Sequence, residues 1–90
     1  MDHDKTATIL ARLYNQEFGG KPSGRYRIAD KILREITGRR RLYAEDIQAL
    51  SRALFEKGCI LIDMETFFVV MSAKSFVNYR RVAKETLSDK

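Results

Sequence analysis

The chain has 90 residues, 44% of them apolar and 10% aromatic, enough for one folded domain with a modest core and too few for a second within this length. Its net charge of +5 and pI near 9.6 suit an anionic partner, such as nucleic acid or an acidic membrane surface, as well as an ordinary basic soluble protein. Composition excludes a disordered chain, and a lone cysteine excludes an internal disulfide.

Apolar residues Ile9, Leu10, Leu13, Tyr14 and Phe18 recur at spacings of three and four and predict a first helix over residues 4–18, capped by Asp4 and stopped by Gly19 and Gly20. The N-terminus, with Asp2 and Asp4 and no apolar stretch behind them, lacks the pattern of a secretory signal. Around Pro22 the chain reads as a loop, and residues 25–28 alternate basic and apolar, as a short half-buried strand would. Residues 29–37 carry Ile32, Leu33 and Ile36 at helical spacing and end at Gly38, a residue suited to a left-handed helix terminus.

After three consecutive arginines, Tyr43, Ile47, Leu50 and Leu54 step by four, three and four, laying one apolar stripe along a third helix that ends by Gly58. Residues 59–62 and 67–71 are β-branched and aromatic runs at hairpin spacing, with a loop of about four residues between them. Cys59 falls in the first run, where a small buried thiol is expected. Ser75 is placed to cap a last helix bearing Phe76, Tyr79, Val82, Ala83 and Leu87, with Arg81 and Glu85 spaced to pair; residues 1–3 and 88–90 are expected to fray.

The order is therefore helix, strand, helix, helix, hairpin, helix, in one domain over residues 1–90. That order, with Gly38 between two helices, resembles the winged helix-turn-helix family over roughly residues 4–87. The resemblance implies a small α+β winged-helix-like domain, with a three-helix core, a β-hairpin and a C-terminal helix. It also implies that the third helix meets the major groove of duplex DNA and that the hairpin is the wing. Four features depart from that pattern: Glu45 and Asp46 stand with Gln48 among the early positions of the third helix expected to be exposed, the turn between Gly38 and Tyr43 is longer than the tightest form, Arg34 occupies a place usually small, and Asp63 and Glu65 make the wing tip acidic.

Charge is concentrated. Residues 21–41 hold eight Lys or Arg against two Asp or Glu, a local excess larger than that of the whole chain. Arg25, Arg27, Lys31, Arg34, Arg39, Arg40, Arg41 and Arg52 are the candidate nucleic-acid-binding residues, acting on phosphates through counterion release. Asp30, Glu35, Glu45 and Asp46 are nearby acids that could instead make this a solvated charge run. Arg80, Arg81 and Lys84 form a smaller basic cluster on the last helix. Tyr26 and Tyr43 flank the basic segment, either as core rings or as platforms for bases.

The alternative reading starts from the hairpin, whose second run is apolar on both faces. Its outer face needs a cover, either the first and last helices or a second chain, so a homodimer or an adaptor using residues 59–71 is the competing function. No nucleophile with a base, metal-ligand set or phosphate loop is evident, so no enzyme activity, metal, cofactor or small-molecule substrate is expected. The apolar runs are too short to span a bilayer, and a cytoplasmic location without membrane contact is the corresponding expectation.

Overall fold

A computed structural model describes residues 2–88. Its elements are α1 (His3–Tyr14), β1 (Tyr26–Ala29), α2 (Asp30–Thr37), α3 (Ala44–Phe55), β2 (Cys59–Asp63), β3 (Phe67–Ser72), a 3₁₀ turn at Ala73–Phe76 and α4 (Lys84–Ser88). The described residues make a small α+β domain of four helices and one three-stranded antiparallel sheet, ordered β1-β3-β2.

Alternation along the strands sorts the sheet into two faces. Register places Ile28 beside Phe68 and both Tyr26 and Leu61 beside Val70, so these side chains share the inner face with Cys59. Against that face pack Ala7 and Leu10 of α1, Leu33 of α2, and Leu50 and Leu54 of α3, closing one core. The third-helix stripe is confirmed at Leu50 and Leu54, whereas Tyr43 is left 51% exposed at the helix entrance. On the outer face, Ile60, Ile62, Phe67, Val69 and Met71 are only half-buried.

Several boundaries differ from expectation for identifiable reasons. Asp2, not Asp4, caps α1, accepting from the Lys5 N–H at 3.0 Å, so residues 2 and 3 are tied into structure rather than frayed. Ser88 likewise ends α4; the expected fraying of residues 1, 89 and 90 lies outside the described residues. Helix α1 stops at Tyr14, whose carbonyl takes the Gly24 N–H at 2.9 Å, and Phe18 never joins it. Phe18 and Lys21 instead exchange backbone hydrogen bonds at 3.0 Å across Gly19 and Gly20. Both glycines have positive φ, 59° and 82°, the signature of a type I′ turn.

The hairpin connection is tighter than a four-residue loop. Thr66 N–H reaches the Met64 carbonyl at 2.9 Å around Glu65, whose φ is 75°, which is a γ-turn; Asp63 Oδ1 accepts from the Glu65 N–H at 2.8 Å. The expected helix over residues 75–87 does not form. Ser72, not Ser75, accepts from a backbone N–H, that of Lys74, to start a 3₁₀ turn. Residues 77–83 are irregular and α4 buries none of its side chains. Left unpacked, so short a helical stripe has little stability of its own. The radius of gyration, 15.4 Å, exceeds the roughly 12 Å of a compact chain of this length, in keeping with the exposure of residues 77–88.

Helix α2 ends as the sequence predicts. Gly38 adopts φ 73°, and its N–H and that of Arg39 satisfy the last carbonyls of the helix. A Cβ at Gly38 would meet open space, so conformation alone sets the cost of replacing it. We expect Gly38→Ala to destabilise by about 1 kcal/mol and Gly38→Asn by less, as read from urea unfolding midpoints.

Candidate nucleic-acid interface

The eight basic residues are carried by different elements and by the segments between them. Three groups result, and their differences follow from the elements that carry them.

The first group surrounds the connection between α2 and α3. Arg34, half-buried, donates from Nε to Asp30 Oδ2 at 2.8 Å, one turn earlier on α2, and from Nη1 to the Arg40 carbonyl at 3.0 Å. It therefore braces the connection, which explains why a large residue is accepted where a small one was expected. Lys31, exposed one turn before Arg34, shares that helix face. Arg39 lies 3.4 Å from Asp46. Arg40 and Arg41 are exposed and have no carboxylate partner among the described residues.

Asp46 is the main correction to the sequence reading. Expected on the exposed face of the third helix, it is only 6% exposed. Its carboxylate accepts from the Tyr43 N–H at 3.1 Å, the return half of a capping box, and lies 3.4 Å from both His3 Nε2 and Arg39 Nη1. The Tyr43 N–H holds the Asp46 carboxyl below its ordinary 3.8 against the opposing effect of burial, with His3 and Arg39 adding to the depression. His3 thus ties α1 to the start of α3.

This arrangement has a pH consequence. A carboxyl whose folded pKa is depressed contributes stability above its unfolded pKa and loses it as pH falls through the folded value. Asp46→Asn should therefore lower the urea midpoint near neutrality. The gap from wild type should narrow as pH is lowered from neutrality through and below 3.8. An equal gap at both ends of that range would assign the loss to shape rather than charge.

The second group is formed by the type I′ turn and β1. Phe18, Lys21, Arg25, Tyr26 and Arg27 line a groove of about 610 Å³. Arg27 extends over the Phe67 ring at 5.5 Å on the outer sheet face. Lys21 was not singled out from sequence; the Gly19-Gly20 pair between Phe18 and Lys21 was the available signal, read as a helix stop rather than as a hairpin turn. Tyr26 is no base platform: its hydroxyl donates to the Leu10 carbonyl at 2.7 Å and its ring meets Phe18 edge-on. Burial, and secondarily the neighbouring Cys59, push that hydroxyl far above its usual range, while burial likewise raises the Cys59 thiol. Both stay protonated at neutral pH.

The third group is Arg52 alone, in the last turn of α3 beside Phe55, Ile60 and Leu61. It lies eight residues from the start of α3 at Ala44, about 12 Å along the helix. Arg80 and Arg81 precede α4 instead of standing on it, so the expected helical pairing of Arg81 with Glu85 is absent from the described residues.

Among the described residues no helix is long and apolar enough to cross a membrane. Comparison with protein-family models, curated proteins and solved structures finds no match to this chain.

Proposed function

We propose that this chain is a winged-helix-type domain that binds duplex nucleic acid through the connection before α3, without enzymatic chemistry. In this reading α2 and α3 are the helix-turn-helix pair and β2–β3 is the wing. The element order and the sheet order β1-β3-β2 are in keeping with it.

The observation that carries the proposal is the unpaired exposure of Arg40 and Arg41 at the entrance to α3. Adjacent arginines repel each other, and most other cations in that region are tied to a carboxylate or carbonyl. Tyr43 provides no side-chain cap, so the first-turn N–H groups of α3 add to the positive end that arginines already mark. The Asp46 carboxylate there is engaged by the Tyr43 N–H and by Arg39 and is not presented at the surface. Glu45 remains exposed.

Lys31, Arg40 and Arg41 are the phosphate contacts, with Tyr43 beside them. Arg25 and Arg27 belong to a separate groove, Arg34 and Arg39 are engaged by Asp30 and Asp46, and Arg52 stands in the last turn of α3. Three contacts give a log–log salt slope of about −3 on random duplex DNA, shallower than all eight residues acting together would produce. Fluorescence anisotropy between about 50 and 200 mM salt measures it. Absence of binding at the lowest salt, with tens of micromolar protein, would refute the proposal.

A further inference from the structure

We propose that the edge strand β2 is a self-association surface, pairing antiparallel with β2 of a second copy about a two-fold axis at Leu61 and joining two three-stranded sheets into one of six. The inference is independent of nucleic-acid binding.

Hydrogen-bond alternation identifies the free groups. Met64 N–H bonds to the Phe67 carbonyl and Ala73 N–H to the Gly58 carbonyl, so residues 58, 60, 62 and 64 direct their backbone groups toward β3. Cys59, Leu61 and Asp63 therefore direct theirs away from the sheet. Among the described residues no backbone or side-chain partner meets those N–H and C=O groups. Folded proteins usually blunt such an edge with Lys, Pro or a bulge. Strand β1, at the opposite edge, carries Arg27 in its middle; β2 reads Cys-Ile-Leu-Ile-Asp, apolar up to a single charge at its last position.

An axis at Leu61 is the one register that uses every free group of the strand. Leu61 meets itself, and Cys59 meets Asp63 of the second copy in both directions, so all three outward residues form hydrogen-bonded pairs. Ile60 then lies opposite Ile62 of the second copy, extending the apolar outer face across the junction. Phe55, 60% exposed at the end of α3, stands over the same edge with Leu61 and gains a covered position. Just beyond the strand ends, the same register sets Lys57 opposite Glu65 of the second copy, twice by symmetry. This gives the acidic hairpin tip an electrostatic partner. Within one chain Lys57 lies 3.3 Å from the exposed Asp4, a contact easily exchanged in water.

The test combines light scattering with a charge swap and a cross-link. Wild type at about 200 μM should show twice its 10.4 kDa chain mass. Lys57→Glu or Glu65→Lys alone should weaken association roughly tenfold, and the two together should restore it. Asp63→Cys should give a covalent dimer on oxidation, with mass spectrometry locating a bridge from residue 63 to Cys59. Residues 59 and 63 of one strand are about 13 Å apart, beyond disulfide reach, so that bridge is necessarily between copies. A wild-type mass of 10.4 kDa at that concentration overturns the proposal. So does a dimer indifferent to both reversals that gives no such bridge; it would place the contact on the outer sheet face or the C-terminal segment.

Discussion

Leu50→Ala and Leu54→Ala should each lower the free energy of unfolding by about 2–5 kcal/mol, a large share of what so small a domain possesses. Both side chains are fully buried, one turn apart on α3, where α1, α2 and the inner sheet face meet. Their neighbours Leu10, Leu33, Phe68 and Val70 are themselves fully or almost fully buried and held by separate elements. A cavity there cannot be filled by shifting one flexible side chain, which places the cost toward the upper part of the range. Urea or thermal unfolding monitored by circular dichroism measures it. Tyr43→Ala provides the contrast, because its half-exposed ring shares the stripe in sequence without sharing the core. Costs below about 0.5 kcal/mol for both leucines would mean that α3 packs by another face.

Replacing Arg40 and Arg41 together by Glu should reduce affinity for random duplex DNA by at least about 10²-fold at 50 mM salt, the equivalent of two lost phosphate contacts, and reduce the salt slope by about two. The fold should survive, since both side chains are exposed and neither has an ion-pair partner among the described residues. Arg40 contributes to structure through its carbonyl, which accepts from Arg34, and that contact is unaffected by the side chain. Arg52→Glu serves as the charge-matched control for one position; at the far end of α3 it should change affinity much less. If Arg52→Glu matches the double variant, binding is directed by overall charge and the entrance to α3 has no special place in it.

The local periodicities of the sequence were sufficient for α2, α3 and the β2–β3 hairpin. A stripe at Leu50 and Leu54, a glycine at position 38 and two β-branched runs each draw on residues within a few positions of one another. Helix geometry, the left-handed terminus and strand pairing translate those spacings directly into structure. The local positive charge was equally legible, because it is a property of composition.

Tertiary structure alone decided which of those charges are free. Asp46 reads as a solvated acid on a helix, and becomes buried because His3, 43 residues away, and Arg39 approach it together with the Tyr43 N–H. The same folding commits Arg34 to Asp30 and to a carbonyl of the turn, and sets Arg25 and Arg27 in a groove with Phe18 and Lys21. Spacing along the chain contains no information about such partners, since a charge is free or paired according to what is brought beside it from elsewhere. The C-terminal segment shows the converse. Its apolar stripe predicts a helix, yet residues 77–88 remain exposed and the stripe packs on nothing in the fold, and burial supplies most of a short helix's stability.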